Sequence, residues 1–451
     1  MKKLLLAFVA ATAVVGAQAS GTFSLDQILS YPFPDNLIGS PVGATVAWTL
    51  NERGVRNIYA ADGPEFTARR VTSYTEDDGQ ELTSLSFSAD GKTIVYVRGG
   101  DHGSNWPAEG NLEPDPSSNP VQPKVQVWAV PAPGGASTRL GDGDEPAIAP
   151  TGNRVAFVKD HRIWIAPLDG SKAAEQAFFA RGASESPVWS PDGRTLAFVS
   201  NRDDHSFIGL FTAASQPIRY VAPSTSRDSD PVWSPDGHTI AYVRQPGRGG
   251  VPASPLVQQP SPWAIWVADA ATGAGHEAWK SGTSLVDSIP RTAGGANLHW
   301  GTGERLVFLS YQDNWPHLYS VAPSGGARPA LLTPGAFMVE YASMSPDRKF
   351  VVYNANTGPD RNDIDRRHIF KVPVDGSAPP VALTSGRGIE WTPVGTADGR
   401  TVAFLASDAQ RSPLPTIVPM AGGQTRTLAA DRLPASLPSA ALVTPEPVTF
   451  R

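Results

Sequence analysis

The chain has no cysteine. This excludes a disulfide framework, thiol catalysis and a lipoprotein attachment site. It also has no block of lysine or arginine, and its formal net charge is -6 over 451 residues. The basic footprint of a nucleic-acid binder is therefore missing. Catalytic signatures are equally scarce. The nucleophile-elbow pattern G-x-S-x-G does not occur: GASES at 182 and GTSLV at 282 both fail at the last position. Neither an H-E-x-x-H motif, a Walker loop nor a dinucleotide fingerprint is found, so no cofactor, metal or catalytic residue is expected. Long helices are disfavoured too. The 43 glycines and 43 prolines point instead to many short strands joined by turns.

The one apolar run of note lies at the amino terminus. Lys2 and Lys3 precede LLLAFVAATAVVG, and AQA then places small residues for cleavage after Ala19. The run is shorter than the roughly 20 residues that span a bilayer. Residues 1–19 are read as a signal peptide of a bacterial protein that is exported to the periplasm or secreted, with no membrane span after its removal.

What is abundant is repetition. A turn of the type SPDG recurs, with turn positions Gly43, Gly91, Gly152, Gly193, Gly237, Gly303, Arg348 and Gly399. Five residues after each stands an aromatic ring: Trp48, Tyr96, Phe157, Phe198, Tyr242, Phe308, Tyr353 and Phe404. Three residues after each stands an aliphatic side chain, and only alanine or valine lies between the two. This spacing describes a strand buried on both faces. A second ladder of apolar pairs follows, from Ile58-Tyr59 through Ile369-Phe370, with Thr416-Ile417 in the last repeat. Each unit reads as strand A, the SPDG turn, strand B, a variable loop, strand C, a glycine turn and strand D. Four antiparallel strands at a period of about 50 residues predict an all-β β-propeller of eight four-stranded blades. Seven blades are the alternative if the degenerate first unit only completes a neighbour. The repeated rings are read as core, each contributing about 2–3 kcal/mol.

In this strand order the B-to-C loops and D-to-A connections share one face. The long intervals from Gly91 to Gly152 and from Gly237 to Gly303 carry their extra residues in B-to-C loops, and NANTGPDRNDIDRRH is a third extended loop. Function is expected on this decorated face. Just before strand A lie Glu81, Glu145, Glu185, Asp230, Glu340 and Glu390. Such residues either bond nearby backbone N–H groups in turns or, in addition, ring the channel mouth as an acidic funnel for cationic ligands. The Asp-His pairs 101–102, 160–161 and Asp204-His205 suit a metal or a general base only if they converge. Arg202, Arg227, Arg244 and Arg361 are candidates to clamp a carboxylate or carbonyl, or are solvated surface groups.

The WSPDG blades, SNRDDHSF, PSTSRDSDPVWSPDG and the ending LPSAALVTPEPVTFR resemble the amino-terminal propeller of prolyl oligopeptidase-type serine peptidases, the group of dipeptidyl peptidase IV and acylaminoacyl peptidase. TolB-like propellers share the SPDG blades. The resemblance implies a propeller over residues 20–436 and a strand or linker over 437–451 that leads, in that family, into an α/β-hydrolase domain. That domain, absent from this chain, would supply the serine, aspartate and histidine in cis or in trans. The resemblance thus implies a gating and peptide-binding propeller that is inactive alone. The adjacent glutamates with which the dipeptidyl peptidase branch captures a peptide amino terminus have no counterpart here beyond the lone Glu340. Two other functions fit the residues: a free-standing TolB-like propeller binding a protein or envelope partner, and a sugar-cleaving propeller using Glu185 and Glu340.

Overall fold

A computed structural model describes residues 23–99, 124–249, 256–292 and 294–446, together with 448 and 450. The expected signal peptide and the Asp101-His102 pair lie outside these residues. The described chain forms eight four-stranded sheets, each built from four consecutive strands in sequence order. All pairs within the sheets are antiparallel. This is the predicted eight-bladed β-propeller. The degenerate first unit makes a blade of its own, from Phe33–Gly39 through Thr45–Glu52 and Val55–Asp62 to Thr67–Arg70. The only α-helix among the described residues is Leu25–Ile28, capped by Ser24 ahead of blade 1.

The core does not sit inside the blades. It is divided into eight apolar clusters, and each lies between two successive blades. Strand alternation explains why. In blade 5, for example, Tyr242 packs toward blade 4, whereas the neighbouring Ala241 faces blade 6. Every blade repeats this arrangement, so a large ring from one blade meets the small residue of the blade before it. All eight predicted rings are fully buried and are the largest fully buried side chains among the described residues.

The SPDG turns are closed by side chains. In blade 4 the Ser190 hydroxyl donates to Asp192 Oδ1 at 2.6 Å and accepts from the Thr195 N–H at 2.9 Å. The Asp192 carboxylate also accepts the Arg194 N–H. The Ser190 hydroxyl bond and this N–H hold the carboxyl below its usual range. Gly193 follows with φ 69°, a left-handed conformation that glycine adopts without steric penalty. Arg348 takes the same conformation in blade 7, at φ 58°.

The inner strands touch their neighbours around the channel. Trp189 donates from Nε1 to Ala147 O at 3.0 Å, Trp233 to Val188 O at 3.1 Å and Trp300 to Val232 O at 2.9 Å. No strand is exchanged between blade 8 and blade 1. The ring closes by packing of Leu405, Ile417 and Leu428 on Trp48 and Tyr59. Hydrogen bonds from Arg426 to Glu65 O and from Asp398 N to Gly43 O tie the same seam.

One regular feature went unpredicted. Three residues before the end of seven inner strands the backbone turns left-handed, at Asn36, Ser84, Glu145, Ser186, Asp230, Tyr341 and Thr392, and in blade 6 Asn297 does so two residues ahead of the strand His299–Gly301. In seven blades the pairing register slips at this point, which is a β-bulge. The bulge shifts the candidate carboxylates. Apart from Glu81, they lie within the inner strands rather than before them. The segment 437–451 is expected to be a strand or linker. It forms a 3-10 turn, Ser439–Ala441, and no strand among its described residues.

If ring-into-slot packing holds the blades together, Phe308→Ala should lower the free energy of unfolding by about 3–5 kcal/mol. Phe179, exposed over 75% of its surface, serves as the control, and Phe179→Ala should change the urea midpoint little.

Candidate functional site

Because each inner strand starts at the decorated face and each outer strand ends there, the first strand at Phe33 and the last at Thr427 both open onto it. Within this face the six candidate carboxylates do not form one ring. Glu145 and Asp230 occupy the left-handed bulge position, Glu185 and Glu340 the residue before it, Glu390 two before and Glu81 three before. Since strand side chains alternate, these offsets send them to different surroundings.

Glu145 and Glu185 form one neighbourhood across blades 3 and 4. Glu145 accepts the Ser186 N–H at 2.6 Å, and His161 Nδ1 stands 4.0 Å from Glu185 Oε1. Desolvation raises the Glu145 carboxyl, against the Ser186 bond and with help from the charges of Glu185 and Asp144. Asp230 accepts from its neighbour, the Ser229 hydroxyl, at 2.9 Å.

A second neighbourhood in blades 4 and 5 gathers Arg202, Asp204, His205 and Arg227. The Arg202 guanidinium lies over Phe207 and Tyr220 and donates to the Tyr220 hydroxyl at 3.1 Å. His205 Nδ1 is 2.6 Å from Asp204 Oδ1, and that bond holds the Asp204 carboxyl low. Arg227 donates to Pro246 O at 3.2 Å, and burial followed by the Arg248 charge lowers its pKa. Arg244 is no ligand clamp: it is 8% exposed, bonded to the buried Asp228 at 2.7 and 2.8 Å and stacked on Trp266.

Blades 7 and 8 bring opposed charges together in a cleft. A cleft of about 520 Å³ is lined by Phe33, Tyr341 and Trp391, together with Glu340 and Arg367. Arg367 Nε approaches Glu340 Oε2 at 2.5 Å, and Asn354 donates to the same oxygen at 3.3 Å. A carboxylate and a guanidinium among aromatic rings can hold an ammonium, a carbonyl and an apolar side chain together. Arg367 and Trp391 were not singled out from sequence. The only signal was their place beside Glu340 in the fold.

Beneath this cleft His368 is buried between two acids, with Nε2 3.3 Å from Asp363 Oδ1 and Nδ1 3.5 Å from Glu390 Oε2. Glu390 also accepts the Thr384 hydroxyl. It is therefore a buried structural acid, unlike the rim carboxylates. Burial opposes the His368 charge, but the bonds and charges of Glu390 and then Asp363 outweigh it and raise the imidazole pKa. Asp363 in turn closes the loop turn Arg361–Asp365, accepting from Asp360 N at 2.9 Å and from Arg366 at 2.9 Å.

Two family models match the chain, the TolB beta propeller domain over residues 144–253 and the dipeptidyl peptidase IV N-terminal region over residues 277–413. An uncharacterized protein of Agrobacterium fabrum is 26% identical, over 36% of this chain and 60% of its own length. Among solved structures, one from a study of two prolyl endopeptidases aligns with 89% of this chain and 50% of its own, at 10% identity and TM-score 0.52. A puromycin-hydrolyzing peptidase of Mycobacterium tuberculosis aligns with 78% of this chain and 54% of its own, at 16% identity and TM-score 0.50. The chain thus spans about half the length of these peptidases, and at these identities the likeness is one of fold. It shares the propeller fold with them, and over residues 277–413 it is similar to the dipeptidyl peptidase IV N-terminal region.

The raised His368 pKa carries a sign. Its stabilisation is complete below the ordinary value of 6.5 and is lost as pH rises through the folded-state pKa. Thermal melts between roughly pH 6 and pH 9 should show a loss of stability toward high pH, and His368→Asn should remove that slope.

Proposed function

We propose that this chain is the substrate-gating and peptide-binding propeller of an exported serine peptidase of the prolyl oligopeptidase type. In this reading an α/β-hydrolase domain in cis or in trans supplies the catalytic residues. One observation carries it: both ends of the strand series open onto the face that holds the Glu340 and Arg367 cleft. A hydrolase docked on that face would close the channel over its own active site, so that peptides reach it only past the propeller. The carboxylates of Asp230, Glu145, Glu185 and Glu81 support capture of cationic peptide ends at the same mouth. Export rests on the signal-like residues 1–19, and no helix among the described residues is long and apolar enough to cross a membrane.

A second reading, a free-standing TolB-like propeller that binds a protein or envelope partner, draws on the TolB match to blades 3 to 5. Calorimetry on the purified chain separates the two. The gating reading expects short peptides with a free amino terminus to bind without turnover, and Glu340→Gln to weaken them about fivefold, as expected for a partly exposed ion pair. Acetylated peptides should be unaffected by that substitution. Peptide cleavage blocked by a serine-directed phosphonate would overturn the inactive part, and equal binding by wild type and variant would remove Glu340 from the site.

A further inference from the structure

At the other end of the channel, on the face of the SPDG turns, lies a cavity of about 580 Å³. Its wall is apolar, built chiefly by Trp189, Trp233 and Trp300 with Val188 and Val232, and no acidic residue lines it. An imidazole and a guanidinium, those of His299 and Arg348, stand in the same wall, beside Met344 and Ser345.

Both are departures from the repeat. His299 stands one residue before Trp300, where blades 4 and 5 have Val188 and Val232 before Trp189 and Trp233. Arg348 occupies the turn position that is glycine in the other seven blades, and it holds the left-handed φ of 58° that glycine takes freely. Its backbone is pinned there by the Thr302 N–H, which donates to Arg348 O at 2.9 Å. A strained residue kept in such a place by its surroundings is a recurring mark of a functional position.

The polar atoms of the two side chains are unspent. His299 Nε2 is buried and has no hydrogen-bond partner among the described residues. Burial, and then the nearby Arg348 charge, lowers the imidazole pKa to about 4. It is therefore neutral near pH 7 and, as the Nε2–H tautomer, a donor. The Arg348 guanidinium has no ion pair or side-chain hydrogen bond among the described residues. Unpaired donors beside three indoles, with no carboxylate in the lining, define the ligand by complement.

We propose that this cavity binds a small carboxylate with an apolar body, its anionic group held by Arg348 and His299 and its body lying against the three tryptophans. That chemistry comes from two sources, a free arylalkanoic acid and the carboxyl terminus of a peptide ending in an aromatic residue. The site is independent of what binds at the opposite face.

The test uses the full chain, tryptophan fluorescence and calorimetry, with three probes: 3-phenylpropionate, acetyl-Ala-Phe and acetyl-Ala-Phe amide. At least one of the two acids should bind, with the amide on the order of tenfold weaker than its acid. Tighter binding of phenylpropionate assigns the site to free acids, and tighter binding of acetyl-Ala-Phe assigns it to peptide ends. Arg348→Gly restores the residue used by the other blades, so its melting temperature should be equal or higher while carboxylate binding falls on the order of tenfold. His299→Val, again the residue of a neighbouring repeat, should weaken binding in a fold that remains intact. Absence of binding by both acids at millimolar concentration, equal binding of acid and amide, or a glycine variant that binds like wild type would each overturn the proposal.

Discussion

Everything in this molecule depends on the contact between a large ring of one blade and a small side chain of the blade before it. A single four-stranded sheet has two apolar faces and nothing within itself to cover them. In blade 5 Tyr242 seeks cover on one side, and Ala241 leaves room for a ring on the other. The condition is met everywhere only if the series returns on itself, which it does where Trp48 packs with Leu405 and Ala403. Burial between blades thus enforces closure, and closure creates a channel lined by eight inner strands. Among the described residues no strand crosses the seam between blade 8 and blade 1, where side-chain packing and a few hydrogen bonds join the two.

The inner strands carry a second constraint. Strands converging on an axis need to bend as they reach the turn face, and in seven blades the left-handed residue three positions before the strand end supplies the bend. Asparagine, aspartate and serine at Asn36, Asp230 and Ser186 suit this backbone, whereas Tyr341 and Thr392 take it at a steric cost. Glu145 and Asp230 accordingly have a backbone reason to stand where they do. Glu390, two residues earlier in its strand, points into the protein, accepts from the Thr384 hydroxyl and lies 3.5 Å from His368 Nδ1. What looked like one acidic set is a set of unlike positions.

This difference marks how far the sequence could be read. The blade count, the strand order and the eight buried rings were legible because they obey a period, and a period survives without coordinates. Trp48 and Phe404 announced themselves by their distance from Gly43 and Gly399. The cleft in blades 7 and 8 was not legible, because Phe33, Glu340, Arg367 and Trp391 come from three blades and meet only when the ring closes. Arg244 misled for a related reason. In sequence it is a loop-edge cation, and only the fold reveals the buried Asp228 that occupies it. The bulges escaped notice because their residue types vary from glutamate to tyrosine, and a backbone requirement met by so many side chains leaves no motif.

A repeat protein makes its own reference state, and that gives departures from the repeat physical meaning. Seven glycines define what the turn needs, so Arg348 is set against a measured background of backbone preference rather than against a general expectation. The valines beside Trp189 and Trp233 do the same for His299. At the opposite mouth, Arg367, at the end of the extended loop of blade 7, is set against Glu340. Symmetry supplies the stable ring, and the two ends of its channel become chemically different wherever individual blades abandon that symmetry. The scaffold therefore separates stability, which needs all blades alike, from recognition, which needs them unlike.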